Sequence, residues 1–293
     1  MRSEQEVLKQ LRQWAEERAN VRALILISSR ANPRQEADVL SDYDVEVFVR
    51  DAGPFTEDDA WVSDFGQIMV RWPLTPRSTN DEEWITQLVL YEDGVRIDFQ
   101  ITALGPGASK NLDNGYRVLL DKDGLAAQLP EPTYSEYVIR CPTSAAFDSR
   151  INAFWWDIVY VAKALRRGEL NYARYMLDGT IRYDKLQPLM EWTIGLHHEW
   201  SVNTGIYGRW FHDYLEPEMW ERYRQTFAGS TIDSHWRALF STTEFVRTLG
   251  QTLAQSLGFE YPDETDRKVT AHMRWIRDLD HLGQDRSHRS HDW

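Results

Sequence analysis

The chain contains 293 residues, among them 13 tryptophans, and its formal net charge at pH 7 is −13. This length suits two domains, and the supply of large apolar side chains excludes an intrinsically disordered chain. The negative charge argues against a general nucleic-acid binder and suits a cationic small-molecule substrate, although it would also serve simply to keep the protein in solution.

The sequence offers no basis for disulfide, zinc or membrane chemistry. The single cysteine, Cys141, cannot form an internal disulfide, and there is no cysteine cluster to bind zinc. No stretch has the apolar length that spans a bilayer, and the N-terminal MRSEQEVLKQLRQWAEER is amphipathic and acidic, unlike a signal peptide. We therefore predict a cytoplasmic protein that has no membrane partner.

The N-terminal part of the chain, to about residue 105, is predicted to mix helices and strands around one sheet. Val7, Leu11 and Trp14 recur at helical spacing, and Ser3 followed by Glu6 is a capping-box pattern. Strands are predicted over residues 23–28, 43–49, 67–71, 84–91 and 95–102, and a helix over residues 56–65.

Two connections of this region carry turn patterns. Glu92-Asp93-Gly94 between the last two predicted strands indicates a hairpin. The stretch WPLTPRSTNDEE contains two prolines and is predicted to be a loop.

After about residue 140 the hydrophobic pattern becomes helical. One helix is predicted from Phe147 to a stop at Gly168, and others near residues 169–195, 208–228 (broken before Pro217), 233–257 and 262–282. Asp233 is predicted to be a cap, Pro262 a first-turn proline and Gly258 a stop. The C-terminal HLGQDRSHRSHDW, with three histidines, is predicted to be a polar terminus and not a metal site.

The change of pattern predicts an α+β fold with a domain boundary between residues 125 and 142, where prolines cluster. The predicted domains are residues 1–135, a mixed sheet with flanking helices, and residues 136–293, a helical bundle.

Three acidic residues are predicted to meet on one face of the sheet. Asp42 and Asp44 are two residues apart at a strand start, so their side chains project the same way. Asp98 lies on the polar face of the hairpin arm, and pairing of that arm with the 43–49 strand would bring it to the same place. Three buried like charges need compensation, which Mg²⁺ would supply. For Asp-x-Asp alone, a solvated strand end is the simpler interpretation.

The motif Ser28-Ser29-Arg30 makes the pattern more specific. It is a turn of small residues directly after a strand, well placed to offer backbone N–H groups and a hydroxyl to phosphate oxygens. A phosphate-holding turn, then Asp-x-Asp on a strand, then a third acid on a later strand is a much rarer combination than any one of its parts.

These motifs resemble the signature of the nucleotidyltransferase superfamily that includes DNA polymerase β, in which Gly-Ser precedes Asp-x-Asp and a distant third carboxylate follows. More closely, the chain is similar to the aminoglycoside 6-adenylyltransferases, bacterial enzymes that modify streptomycin. The resemblance extends to about residue 260 and is carried by MRSEQE, SSRAN, SDYDVEVFVRD, LYEDGVRIDFQIT, VLLDKDG, FWWDIVYVAKALRRGEL, WTIGLHHEWSVNTG and RWFHDYL.

The resemblance implies an antibiotic-resistance reaction in which a hydroxyl of a cationic aminoglycoside attacks the α-phosphate of ATP, giving the O-adenylylated drug and pyrophosphate. It implies Mg²⁺, as two ions, as the cofactor and ATP as the co-substrate. Residues 1–135 would form the nucleotidyltransferase domain, and residues 136–293 the helical substrate-binding domain.

The resemblance also implies roles for single residues. Asp42 and Asp44 would be metal ligands, and Asp98 would be a metal ligand, the general base for the hydroxyl, or both. Nucleotide-binding residues would be Ser28, Ser29 and Arg30 in the turn and Lys163 on a helix of the second domain. The alternatives for the two basic residues are a strand-end charge for Arg30 and a snorkelling side chain for Lys163.

Two departures from the family pattern bear on nucleotide affinity or acceptor choice. Ser28 stands where the superfamily has glycine, and a positive φ there would strain serine by about 1–3 kcal/mol. Ile206 stands where a lysine is expected, with Arg209 nearby. Two other functions therefore remain open: transfer to a different cationic or macromolecular acceptor, and catalytically silent binding of aminoglycosides or polyamines. The sequence does not distinguish a monomer from a dimer.

Overall fold

The computed structural model describes residues 1–34, 37–78, 84–104 and 112–280. The chain divides into two compact units, Met1–Tyr137 and Val138–Trp293. In the described residues, the first unit holds a six-stranded sheet with short helices, and the second is built from helices. The α+β fold class predicted from the sequence is confirmed.

The sheet of the first unit is mixed. Its strands are β1 (Val21–Ile27), β2 (Tyr43–Val49), β3 (Ile68–Ser78), β4 (Trp84–Tyr91), β5 (Arg96–Ala103) and β6 (Tyr116–Asp121), in the spatial order β3-β4-β5-β2-β1-β6. Strands β2 and β5 pair in parallel, and the other neighbours pair antiparallel. Because parallel strands run in the same direction, the first residues of β2 and β5 lie at the same edge of the sheet.

The helical segments of the first unit are α1 (Glu4–Glu16), α2 (Gly53–Glu57) and 3₁₀ turns at Ser28–Arg30, Ala60–Phe65 and Leu125–Gln128. The predicted capping box of α1 is confirmed: the Glu6 N–H donates to Ser3 Oγ at 3.3 Å, and the Ser3 N–H donates to the Glu6 carboxylate at 2.7 Å. Val7, Leu11 and Trp14 are buried, so the apolar face of α1 is also as predicted.

Strand β2 is covered on both faces. One set of its side chains joins the larger core of the unit, as the alternation predicted: Tyr43, Val45, Val47 and Val49. Phe48 points the other way, into a smaller cluster with Ile25 and Leu112. A slip of one residue would exchange these two sets, so their burial fixes the register of β2 and with it the partner of Asp44 on β5.

The helix predicted over residues 56–65 is wrong. The structure has α2 ending at Glu57 and a separate 3₁₀ turn from Ala60 to Phe65. Asp58 between them has an extended backbone, with φ −135° and ψ 128°, and its carboxylate accepts the Ala60 N–H at 2.8 Å. An aspartate that bonds the backbone two residues on competes with helical hydrogen bonding, and this breaks the helix.

The loop predicted for WPLTPRSTNDEE is wrong over its first half, because β3 continues to Ser78. The strand lies at the edge of the sheet, and its pairing with β4 is irregular between Trp72 and Arg77, where the prolines fall. An edge strand tolerates proline because one side of it needs no ladder hydrogen bonds. Residues 79–83 of this stretch lie outside the described residues. The predicted hairpin of β4 and β5 is confirmed.

The helices of the second unit are α3 (Ser144–Arg166), α4 (Leu170–Arg174), α5 (Gln187–His197), α6 (Phe211–Tyr214), α7 (Pro217–Arg224), α8 (Ile232–Leu257) and α9 (Asp263–Asp278), with a π-helical segment at Tyr175–Leu186 and a 3₁₀ turn at Ile206–Gly208. The stretch predicted as one helix near residues 169–195 is thus three consecutive helical segments. The apolar positions of α3 form the core of the unit together with α5, α8 and α9.

The ends of these helices test the predicted caps. Gly258 ends α8 with φ 71°, and α7 begins at Pro217, both as predicted. The cap of α8 is Thr231 and not Asp233, because Thr231 and Ser234 bond each other reciprocally in a capping box. Pro262 stands just before α9 and not within its first turn.

None of the helices in the described ranges is both long and apolar enough to cross a membrane. The three histidines of HLGQDRSHRSHDW lie in residues 281–293, outside the described residues.

Candidate active site

The edge of the sheet where β2 and β5 begin gathers the three acidic residues singled out in the sequence. Asp44 on β2 lies directly opposite Asp98 on β5 in the parallel register. Asp42 precedes β2 by one residue, so it projects on the same side as Asp44. The pairing of β5 with β2, on which the meeting of the three acids depended, is therefore present.

A fourth residue, Arg96, lies among these acids. Its Nε and one terminal nitrogen donate to the two carboxylate oxygens of Asp98 at 2.9 and 2.7 Å. The other terminal nitrogen lies 3.3 Å from the Asp42 carboxylate. Sequence reasoning did not assign Arg96 to the site, although its spacing of two residues from Asp98 placed both side chains on the same face of β5.

Asp44 is the most perturbed of the three acids. Burial, followed by the negative charge of Asp98, raises the pKa of Asp44 to about 6, and a hydrogen bond from the Ser28 side chain opposes that rise. Burial also raises the pKa of Asp42, against the opposing positive charge of Arg96. A site that keeps carboxylates where their charged form is disfavoured has the character of a functional site rather than of a stabilising one.

Ser28 adopts a left-handed backbone conformation that glycine favours. Its φ is +61°, and its carbonyl oxygen accepts the N–H groups of Ala31 and Asn32, each at 3.0 Å. The turn thus has the positive φ at which a serine carries strain. The serine side chain supplies what glycine cannot, a hydrogen bond to Asp44.

Arg30 in the same turn is directed at the loop that leads to β2. Its guanidinium donates to the carbonyl oxygens of Asp38, Ser41 and Asp42, and it lies 4.0 Å from the centre of the Tyr43 ring. The side chain is only 7% exposed. In this arrangement Arg30 ties the turn to the start of β2, while Ser29 beside it is half-buried.

The carboxylates suit a hard divalent cation by their oxygen donors, but their present arrangement is not a preformed metal cage. In the part of the chain that the structure describes, no group of three or more His, Cys, Asp or Glu side chains has a metal-binding geometry. Both oxygens of Asp98 are taken by Arg96. The residues present fit Mg²⁺ by their donor chemistry, and Arg96 is a neighbour that contacts the same Asp98 carboxylate.

The predicted contacts of the second unit lie on its surface. Lys163 is exposed on α3, with its ammonium 5.8 Å from the centre of the Tyr160 ring. Ile206, at the place where a lysine was expected, is 63% exposed at the start of a 3₁₀ turn in which Tyr207 has a φ of +55°. The role of Lys163 in nucleotide binding stays a prediction.

The enzyme is a nucleotidyltransferase. This class is defined by a mixed sheet in which a turn after the first strand precedes Asp-x-Asp, with a third carboxylate on the neighbouring parallel strand. The profile of the streptomycin adenylyltransferase family matches residues 1–276. The chain belongs to that family.

Two relatives match this chain over most of their own length. The aminoglycoside 6-adenylyltransferase of Bacillus subtilis (strain 168) is 30% identical over 283 residues, which cover 94% of this chain and 98% of the relative. The protein of the same name from Campylobacter jejuni is 29% identical over 268 residues, which cover 89% of this chain and 92% of the relative. A crystal structure of an aminoglycoside 6-adenyltransferase from Bacillus subtilis aligns with a TM-score of 0.48 and 26% identity, over 95% of this chain and all of that chain.

Proposed function

We propose that this enzyme transfers AMP from ATP to a hydroxyl of an aminoglycoside, with streptomycin as the first acceptor to test, and that it requires Mg²⁺. The observation that carries the proposal is the pairing of Asp44 with Asp98 across β2 and β5, beside Asp42 and after the Ser28–Arg30 turn. The family and the names of the relatives support the acceptor class. The net charge of −13 also favours a polycationic acceptor.

The acids have complementary tasks in this proposal. Asp42, Asp44 and Asp98 would hold the cation, with two ions as the proposed number, and bound Mg²⁺ would stabilise the negative charge on the α-phosphate and on departing pyrophosphate. Asp98 accepts the proton of the attacking hydroxyl as the new oxygen–phosphorus bond forms and the bond to pyrophosphate breaks. The Ser28 hydroxyl favours the charged form of Asp44, because it lowers the pKa of that carboxyl.

The turn after β1 would hold the phosphates. The side chain of Ser29 and the backbone N–H groups around it are the proposed contacts, since successive N–H groups in such a turn form a concave anion site. Arg30 would act indirectly. Its hydrogen bonds to the loop carbonyl oxygens hold the Ser28–Arg30 turn at a fixed position relative to Asp42.

The proposal is tested by incubating the protein with α-labelled ATP, Mg²⁺ and streptomycin, followed by identification of the labelled product. We expect adenylylated streptomycin and an equal amount of pyrophosphate. Transfer to another aminoglycoside would replace streptomycin but keep the acceptor class, and pyrophosphate release only with an unrelated acceptor would overturn that class. Binding of the drug without any binding of Mg²⁺-ATP would favour a catalytically silent binding protein.

A further inference from the structure

We propose that Arg96 is a displaceable counter-ion for the three acids. Arg96 contacts the carboxylates of both Asp42 and Asp98, and it competes with a divalent cation for Asp98. The inference deepens the proposed function and rests on it, since it takes the acids to be the metal site.

The geometry makes Arg96 and a cation compete for the same oxygens. The fork of Nε and one terminal nitrogen covers both oxygens of Asp98, and the remaining terminal nitrogen reaches Asp42. A bidentate guanidinium–carboxylate pair is among the stronger side-chain interactions, and it uses one of the two lone pairs of each Asp98 oxygen. A metal ion at Asp98 would therefore share these oxygens with the guanidinium or displace it, and the positive charge of the guanidinium opposes the binding of the cation in either case.

Arg96 is partly exposed and adjoins an open cavity into which its side chain can move. Its side chain is 42% exposed, whereas that of Asp98 is 13% exposed. A cavity of about 310 Å³ adjoins the guanidinium and is lined by Glu4 and Asp42 as well as by Arg96. Arg2 and Arg30 line the same cavity, and Glu4 already pairs with Arg30 and Arg117, so a guanidinium that swings away from Asp98 would enter a space of mixed charge.

The charges give the direction of the effect. Three carboxylates share this edge, Arg96 contacts two of them, and Arg30 lies nearby with a bond to the Asp42 carbonyl oxygen, so the acids exceed the bases even with Arg96 in place. Replacing Arg96 by a neutral residue removes a competitor and a nearby positive charge, and both changes favour a bound cation. The same replacement leaves the acids facing each other without compensation when no cation is present, which destabilises the metal-free fold.

The test compares Arg96→Gln with the wild type in the absence of nucleotide. Binding of Mn²⁺ is measured by the loss of the electron-spin resonance signal of the free ion. The variant should bind Mn²⁺ about tenfold more tightly than the wild type. Thermal unfolding gives a second readout: the variant should unfold at a lower temperature than the wild type in EDTA, and saturating Mg²⁺ should narrow the difference, since a ligand that binds only the folded state stabilises it by mass action.

Arg22→Gln is the matched control. Arg22 on β1 also forms a two-pronged pair with an aspartate, Asp123, whose carboxylate accepts the Arg22 Nε–H at 2.6 Å. Asp123 is not one of the proposed metal ligands. Mn²⁺ affinity should equal that of the wild type, and any loss of stability should be the same in EDTA and in Mg²⁺.

Arg96→Lys guards against a variant that fails to fold. Lysine keeps the charge but lacks the planar fork, so its Mn²⁺ affinity should fall between those of the wild type and Arg96→Gln. Wild-type binding of Mn²⁺ with equal or weaker binding by both variants would overturn the role of Arg96 alone. A wild-type protein that binds no divalent cation, with or without ATP, would overturn the metal site itself.

Discussion

Two arginine–aspartate pairs of this protein show how differently the same interaction is used. In the second unit, Asp266 accepts two bonds from Arg247 at 2.6 Å each, one from the Tyr261 hydroxyl at 2.9 Å and one from the Thr270 hydroxyl at 3.0 Å. One acid there meets one base and two neutral donors. At the edge of the sheet, Arg96 pairs with two of the three acids, Asp42 and Asp98. The third acid, Asp44, has the Ser28 hydroxyl as its neighbour.

The difference separates a stabilising site from a functional one. The Asp266 carboxylate is 5% exposed and fully bonded, so its charge is balanced where it lies. The carboxylates beside Arg96 outnumber their base, and burial and repulsion raise the pKa of Asp44 to about 6. An excess of charge that costs stability is kept where a ligand of opposite charge is expected.

The largest effect on activity is expected from Asp98→Asn. Loss of a metal ligand and of the general base together should lower kcat/KM by at least ~10³-fold. The free energy of unfolding should change by no more than about 1 kcal/mol, because the partner Arg96 is partly exposed. Initial rates and urea denaturation measure the two quantities. A variant that keeps more than a tenth of the wild-type activity would contradict the assignment.

Arg247→Met should give the opposite result, with a large loss of stability. It leaves the buried Asp266 carboxylate without its cation, and breaking a buried ion pair in this way costs about 3–5 kcal/mol. Urea denaturation checks the loss. Variant molecules that remain folded should adenylylate at an unchanged rate, so a specific fall in kcat without a fall in stability would refute the contrast between the two pairs.

Asp44→Asn should stabilise the metal-free enzyme at neutral pH. The folded-state pKa of Asp44 is about 6 and its ordinary value is 3.8, so between these values the folded state holds a proton that the unfolded state has lost. The stability that this proton gives the wild type is therefore lost as the pH rises through that window. The excess stability of the variant in EDTA should grow from pH 3.8 to about pH 6 and then level off. An excess independent of pH would show that Asp44 does not titrate there.

The smallest expected effect isolates the strain at Ser28. Ser28→Ala and Ser28→Gly both lose the hydroxyl that bonds Asp44, and only glycine is at ease at a φ of +61°. The glycine variant should therefore be more stable than the alanine variant by about 1 kcal/mol. Thermal or urea unfolding of the two variants side by side measures this difference, and equal stabilities would mean that the turn is unstrained.

The sequence predicted the elements whose patterns are local and the acids that periodicity places together. The alternation in residues 43–49 and the hairpin at Glu92-Asp93-Gly94 led to β2, β5 and the face that carries Asp44 and Asp98. The sequence predicts strain at Ser28 if the turn needs a positive φ, because serine stands where the superfamily signature has glycine, and the observed φ is +61°.

The rest depended on contacts that a single strand or helix does not reveal. Arg96 shares its face with Asp98, but its bond to Asp42 exists only because β2 is the parallel neighbour of β5. Strand β3 tolerates its prolines because it lies at the sheet edge, a position that the sequence does not show. The helix expected over residues 56–65 was lost to one side-chain hydrogen bond of Asp58.

The central claim is that the acids at the starts of β2 and β5 carry out adenylyl transfer to an aminoglycoside. The most direct measurement follows the transfer of label from α-labelled ATP to streptomycin by the wild type and by Asp98→Asn, each with Mg²⁺ and with EDTA. The account predicts labelled drug only from the wild type with Mg²⁺. Transfer by Asp98→Asn, or by the wild type in EDTA, at more than a tenth of the rate of the wild type with Mg²⁺ would contradict it.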